Sequence, residues 1–336
     1  MDYIEIKKNS NVVKTLVAQA KHESVDSDVA KRTNEMIAEL AKEPNPHNRY
    51  QIAQLIGFAV NEIVRPKTNW LDQIADAKRV GYGEKAQFKV RLEGIRAYVG
   101  AKGGTPARSK VANKTITLDT VAVSARPSVN LVEMQNSQAD MAALINDAAY
   151  QMELAYYQYI QGTMNAALGT APFVTPYYGT GSGIVKATLD PMIRHWMRMS
   201  GGAAPTLLGD IDMVSQLAEL TGFTASTTSK QFSDSIMDEY NATGMIGVYG
   251  GCKVVNLVNP LIDGTDTPVF DTNKLFILPS GIDAGMRPLK VLFEGDVTSK
   301  DNQDIDDMVY EVRLDQYIGA GIVVGDRPYI GVYQGN

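Results

Sequence analysis

The sequence predicts an α+β fold, and three observations carry the prediction. Residues 84–132 alternate apolar and polar with period two, as a long two-stranded hairpin does. Residues 137–168 hold a helical apolar stripe with no proline, and from residue 204 short apolar runs alternate with helical segments. The chain has 336 residues, 44% hydrophobic and 21% charged, a globular composition that excludes wholesale disorder. That length suggests about two domains. A net charge of −6 is small for such a chain and argues against a protein that simply coats nucleic acid.

The elements follow in order. Residues 1–47 are polar and read as weakly helical: Ser27 and Asp28 cap a helix through Leu40, which Pro44 and Pro46 stop. In residues 48–83, Ile52, Leu55, Ile56, Ala59, Val60 and Ile63 fall at helical spacings over 48–64, until Pro66. Trp70, Leu71 and Ile74 follow as an apolar anchor. Both an ordinary helical subdomain and an arm that packs on a neighbouring chain fit this region.

In the hairpin, Phe88, Val90 and Leu92 alternate with Lys89 and Arg91, and the return strand spans 115–123. Between them, residues 100–109 form a tip punctuated by glycine and proline. An isolated hairpin is marginal in water, so this one needs a surface to lie on. Next, Ser137 with Asp140 resembles a capping box with Asp in place of Glu. Met141, Ile145, Ala148, Met152, Ala155, Tyr159 and Thr163 then mark one continuous face. About thirty residues at ~1.5 Å each make a spine of roughly 45 Å.

A Gly/Thr/Pro/Tyr loop opens residues 170–205, followed by a helix over 188–199 that Gly201 and Gly202 end. Strands are expected at 204–208, 251–257, 274–278 and 289–293, with helices at 211–220 (capped by Asp210) and 229–240. Two closing strands are read at 308–324 and 329–333.

No catalytic, metal or cofactor site emerges. Cys252 is alone, which excludes an internal disulfide and a cysteine-rich metal site, and His22, His47 and His195 are too few for a histidine cluster. Gly179-Thr180-Gly181-Ser182-Gly183 lacks the third glycine of a dinucleotide fingerprint and reads as a flexible loop. The tip 100–110 lacks the Gly-Lys-Ser/Thr order of a phosphate loop. Asp301, Asp304, Asp306 and Asp307 miss the calcium-loop spacing and read as a solvated acidic loop. His195, beside Trp196, reads as structural. Two carboxylates precede the first basic residue and no apolar core follows, so the start does not resemble a secretory leader. With no run of ~20 apolar residues, a soluble chain without a membrane partner is expected.

Charge placement is more informative. Residues 78–114 carry ten basic residues against Glu84 and Glu93, whereas 294–326 carry nine acidic ones against Lys300 and Arg313. Such opposed segments suit head-to-tail self-association, with charge steering contacts that apolar burial stabilises. The expected inter-subunit residues are Lys89, Arg91, Arg96, Lys102, Arg108, Lys110 and Lys114 on the hairpin. Their counterparts are Asp301, Asp304, Asp306 and Asp307 near the C-terminus. A nucleic-acid-binding hairpin is the alternative, although only Phe88 and Tyr98 would be there to stack bases.

The order of these parts resembles the major capsid proteins of tailed bacteriophages, with their Hong Kong 97-type fold. The spine after the hairpin looks like the family's peripheral helix after its extended loop. Gly251-Cys252-Lys253-Val254-Val255 with Asn273-Lys274-Leu275-Phe276-Ile277-Leu278-Pro279 looks like its paired axial strands. Tyr310-Glu311-Val312-Arg313-Leu314 onward, with Arg327-Pro328-Tyr329-Ile330, is similar to its terminal strands. The resemblance implies an N-terminal segment (1–47), an arm (48–83), an extended hairpin (84–132), a peripheral domain (133–184 and 296–336) and an axial domain (185–295).

It further implies a subunit of hexamers and pentamers in an icosahedral head made in the bacterial cytoplasm. Its partners would be copies of itself, scaffolding, portal and decoration proteins, and packaged double-stranded DNA. Asp307 falls near where some relatives place a crosslinking Asn, and Leu314 and Asp315 near their assisting Glu, so no covalent crosslink is expected. An encapsulin-like compartment and a two-domain α/β enzyme with a site near 179–183 are the alternatives.

Overall fold

Capped helices open the chain. The computed structural model describes residues 10–335 apart from 44, 69–70, 94–107, 170–172, 221–233, 258, 263–264, 305–307, 324 and 326–328. Helix α1 (Asn11–Ala20) starts where Ser10 accepts from the Val13 amide. α2 (Ser27–Lys42) starts at Asp26, one residue before the expected cap, because the Asp26 carboxylate accepts from the Asp28 amide. The segment expected to be weakly helical thus holds two helices, and it buries Val13, Leu16, Ala20, Ile37, Leu40 and Ala41. Pro46 begins α3 (Pro46–Lys67) rather than stopping α2: at the first helical turn its missing N–H is not needed, and Asn45 caps. α3 also runs one residue past Pro66 before the short α4 (Leu71–Ile74).

Strand β1 (Asp76–Val80) leads into the hairpin of β2 (Gln87–Glu93) and β3 (Ala112–Thr117), paired from Gln87↔Thr117 to Glu93↔Ala112. The expected return strand is not continuous. After Thr117 the chain leaves the hairpin, and β4 (Val121–Ala125) pairs instead with a strand near the C-terminus. β5 (Ser128–Asn130) and α5 (Leu131–Gln135) precede the spine, α6 (Met141–Ala167). At 27 residues it is about 40 Å long. Asp140, not Ser137, caps it, accepting from the Ala143 amide, while Ser137 sits in the left-handed region at φ 57°. The stripe begins as expected with Met141, Ile145, Ala148 and Met152, then runs through Tyr156, Ile160 and Met164. Steps of four there rotate the buried face one residue beyond Ala155, Tyr159 and Thr163.

The remaining elements divide between two sheets. β6 (Tyr178–Gly181) precedes α7 (Lys186–Ser200), β7 (Thr206–Gly209), α8 (Ile211–Val214), α9 (Gln216–Leu220) and α10 (Asp234–Thr243). β8 (Val248–Tyr249), β9 (Cys252–Asn256) and β10 (Lys274–Leu278) come next, then a 3₁₀ turn at Ala284–Met286. β11 (Leu289–Asp304), β12 (Val309–Ile322) and β13 (Gly331–Gly335) close the chain.

Two large sheets result. The first runs β1-β11-β12-β4, with β5 also on β12, and the second runs β6-β13-β10-β7-β9-β8. Three expectations change here. Residues 179–181 are strand, not a flexible loop: a side chain on Gly179 would meet Met192 Sδ at 2.6 Å, so glycine there serves close packing. Residues 301–304 extend β11 rather than forming an acidic loop. The closing strands do not lie together, since β12 belongs to the first sheet and β13 to the second, and β7 separates β9 from β10.

Period two divides the second sheet between two cores. Leu208, Phe276, Leu278 and Val332 face the core shared with α1–α3, α6 and the first sheet. Leu207, Leu275, Ile277 and Tyr333 face α7, α8 and α9, among them Leu189, Trp196 and Leu217. Cys252 on β9 is fully buried there, and burial pushes its thiol up to about 12.

Candidate inter-subunit surfaces

Among the described residues, the hairpin is anchored at its root. Alternation places Phe88 against Leu292 of β11 with Ala86, buries Val90 beside Gly325 and the 285–287 segment, and puts Lys89 on the solvent side. Lys78 secures the root, donating to the Gln87 carbonyl at 2.5 Å with its ammonium 4.9 Å above the Phe88 ring. Just beyond, Leu92 and Val111 are 41% and 53% exposed, so the apolar cover ends at this level.

The expected basic contacts lie mostly on this projection. Lys89, Arg108, Lys110 and Lys114 are exposed and Arg91 is half-buried, and none pairs with a described carboxylate. Arg96 and Lys102 lie outside the described residues. Of the acidic set, Asp306 and Asp307 also lie outside them, and Asp304 is the last residue of β11. Asp301 pairs within the chain, 3.8 Å from Arg49.

Other acids of the C-terminal region are satisfied internally as well. Glu294 accepts from the Gly83 amide and the Thr120 hydroxyl at 2.9 and 2.8 Å, and Glu311 pairs with Arg126. Asp315 accepts from Ser124 at 2.5 Å and from Arg313 at 2.9 Å. Burial alone would raise its carboxyl, but Ser124 and Arg313 outweigh that and hold it below the ordinary value. The C-terminal acids therefore mostly stitch the first sheet together.

A stretch without cations escaped the charge count. Between Arg126 and Lys186 the sequence has no lysine or arginine but contains Glu133, Asp140, Asp147 and Glu153. The signal was present as a missing residue type rather than as a run. In the fold part of this stretch, α6 from Leu144 to Gln158, forms one wall of an open groove of about 880 Å³ facing β4–β5. Among the described residues Asp147 is its one carboxylate, since Glu153 pairs with Lys67 outside it. Leu144, Leu154, Leu261, Ile262 and Val269 give it apolar walls, and Asp147 is exposed at its side. Arg126, the cation in the lining, is taken by Glu311. β4 ends its sheet, and no described strand pairs with its outer edge. An open edge beside apolar walls and an unneutralised carboxylate can take an extended basic segment by strand addition.

Against known proteins, a family model described as "SPbeta prophage-derived putative capsid protein YonB" matches residues 3–334. No curated protein matches the chain. Among solved structures, it is similar to a virus-like particle from Pyrococcus furiosus at 13% identity, covering 84% of this chain and 100% of that one with a TM-score of 0.48. The head of Helicobacter pylori bacteriophage KHP40 aligns at 12% identity over 79% of this chain and 89% of that one (TM-score 0.47). The holo-SrpI encapsulin complex from Synechococcus elongatus PCC 7942 aligns at 12% over 78% and 84% (TM-score 0.48).

Proposed function

The chain belongs to the family of SPbeta prophage-derived capsid proteins described by YonB, and we propose that its subunits join when the basic hairpin of one occupies the α6 groove of the next. As a member it is a structural capsid subunit and not an enzyme. One observation carries the docking: the hairpin's free cations stand on a projection with no cover of its own, while the groove wall lacks free cations and ends in an open strand edge. Basic and apolar residues alternate along the hairpin, so charge would set register while Leu92 and Val111 gain cover.

In this reading the unit built on the second sheet, which takes most of residues 185–295 and also β6 and β13, meets its symmetry mates at the centre of hexamers and pentamers. The first sheet and the spine form the periphery, so β6 and β13 cross from the expected peripheral ranges (133–184 and 296–336) to the central unit. The product is a closed icosahedral head around double-stranded DNA, made in the host cytoplasm with separate scaffolding, portal and decoration proteins. Boiling shells in detergent should release a single band, because no covalent crosslink is expected. Removing residues 102–110 tests the docking: circular dichroism should show a folded subunit, and electron micrographs should show no shells. Shells of normal size from that variant would overturn it. Asp147→Lys should also impair assembly through the receiving side.

A further inference from the structure

A buried cation lies beneath the hairpin root and is not among the residues expected at a subunit contact. Lys290, on β11, is fully buried. Its ammonium donates to Asp76 Oδ2 of β1 at 2.9 Å, to the Gly285 carbonyl at 3.1 Å and to the Ala284 carbonyl at 3.5 Å. One side chain therefore ties two strands of the first sheet to the 3₁₀ turn. Arg287, one residue beyond that turn, donates to the Ala75 carbonyl at 2.9 Å and to Asp72 and Ile282 carbonyls. The turn is thus held from both sides.

That turn abuts the hairpin. A Cβ on Gly285 would lie 3.7 Å from the Lys89 carbonyl, and one on Gly325 only 2.7 Å from the Arg91 carbonyl. Val90 and Arg91 share a narrow crevice with Gly285, Met286 and Arg287. Two alternate carbonyls of β2 are therefore approached by glycine backbone, one of them in the turn that Lys290 holds. An apolar side chain would fill the Lys290 site without the desolvation cost of a charge, which burial opposes. What it could not supply is a donor for the turn's carbonyls.

We propose that Lys290 is a positioning residue for the hairpin: its ammonium fixes the 284–286 turn, and the turn fixes the direction in which β2 and β3 leave the subunit. The significance for assembly rests on the docking proposed above, but the positioning itself is a property of the single chain.

The test is hydrogen exchange on the free subunit, read by mass spectrometry on wild type, Lys290→Met and Asp76→Asn. In Lys290→Met the amides of residues 87–92 and 112–117 should exchange about tenfold or more faster, while those of β10 stay protected. Asp76→Asn, which keeps both carbonyl bonds, should show a smaller rise in the same segments. Unchanged exchange at the hairpin root in either folded variant would overturn the assignment. Unfolding of both variants would do so as well, since a positioning residue leaves the rest of the fold standing. Because no shell is needed for this readout, faster exchange in Lys290→Met together with normal shells from the 102–110 deletion would leave the positioning intact and reject the docking instead.

Discussion

Two long antiparallel ribbons leave the same region of the molecule and meet opposite fates. β11–β12 is flanked by β1 on one side and by β4 and β5 on the other, with α3 and α6 packed on it. Val291, Val312, Leu314 and Ile318 are fully or almost fully buried, and its acids are tied to Arg49, Arg126, Ser124 and Arg313. Among the described strands β2–β3 pairs only with itself; it is covered at Phe88 and Val90 and leaves Leu92 and Val111 exposed. Identical secondary structure thus serves as core in one case and as outstretched surface in the other. The difference lies in whether flanking strands are available and whether the charges are answered within the chain.

Substitutions should separate the two ribbons by size of effect. Leu314→Ala in the covered ribbon should cost about 2–5 kcal/mol, read as a lower denaturation midpoint with unchanged slope. Gly57→Ala comes next. A Cβ there would meet Ser299 Oγ at 2.9 Å, where α3 rides on β11, so a loss of about 1–3 kcal/mol is expected. Thermal melts would check it, and no loss would mean that the helix can move away freely.

Asp315 gives the third effect. Its folded carboxyl titrates below the unfolded one, so its contribution is fully present above the unfolded value and fades as pH falls through the folded one. Asp315→Asn should therefore flatten the acid limb of a stability-against-pH curve below about pH 4 and cost about 1 kcal/mol at neutral pH. Smallest of all, Val111→Ala and Lys110→Ala in the bare ribbon should change subunit stability by no more than about 0.5 kcal/mol. Shell formation should nonetheless weaken in both, by light scattering, and for Lys110 the deficit should shrink at high salt. A large stability loss at Val111 would show that the outer hairpin is covered by its own subunit after all.

How much was legible follows from which forces act locally. The spine was readable because twenty-seven residues repeat one apolar face without proline, whereas its cap was misplaced because Ser137 and Asp140 are both plausible acceptors. α1 was missed although Ser10 and the Val13–Leu16 spacing were there, since ten residues make a weak periodic signal. The β6 glycines looked like a loop because their purpose is a neighbour, Met192, that only the fold brings near. Residues 115–123 looked like one strand because period two continues across the place where pairing changes from β2 to β12. The basic side of the candidate contact was visible as a run. Its acidic side was hidden, because a groove wall is assembled from distant segments and announced itself only by the lysines and arginines it lacks.

The lone thiol has a practical consequence. Cys252 is sealed in the core of the second sheet and almost wholly protonated at neutral pH, so the chain carries no reactive thiol of its own. A cysteine introduced at an exposed hairpin position such as Asn113 would then be the sole site open to a maleimide dye. Fluorescence from that single label could follow the hairpin from free subunit to finished particle, with no native residue needing removal first.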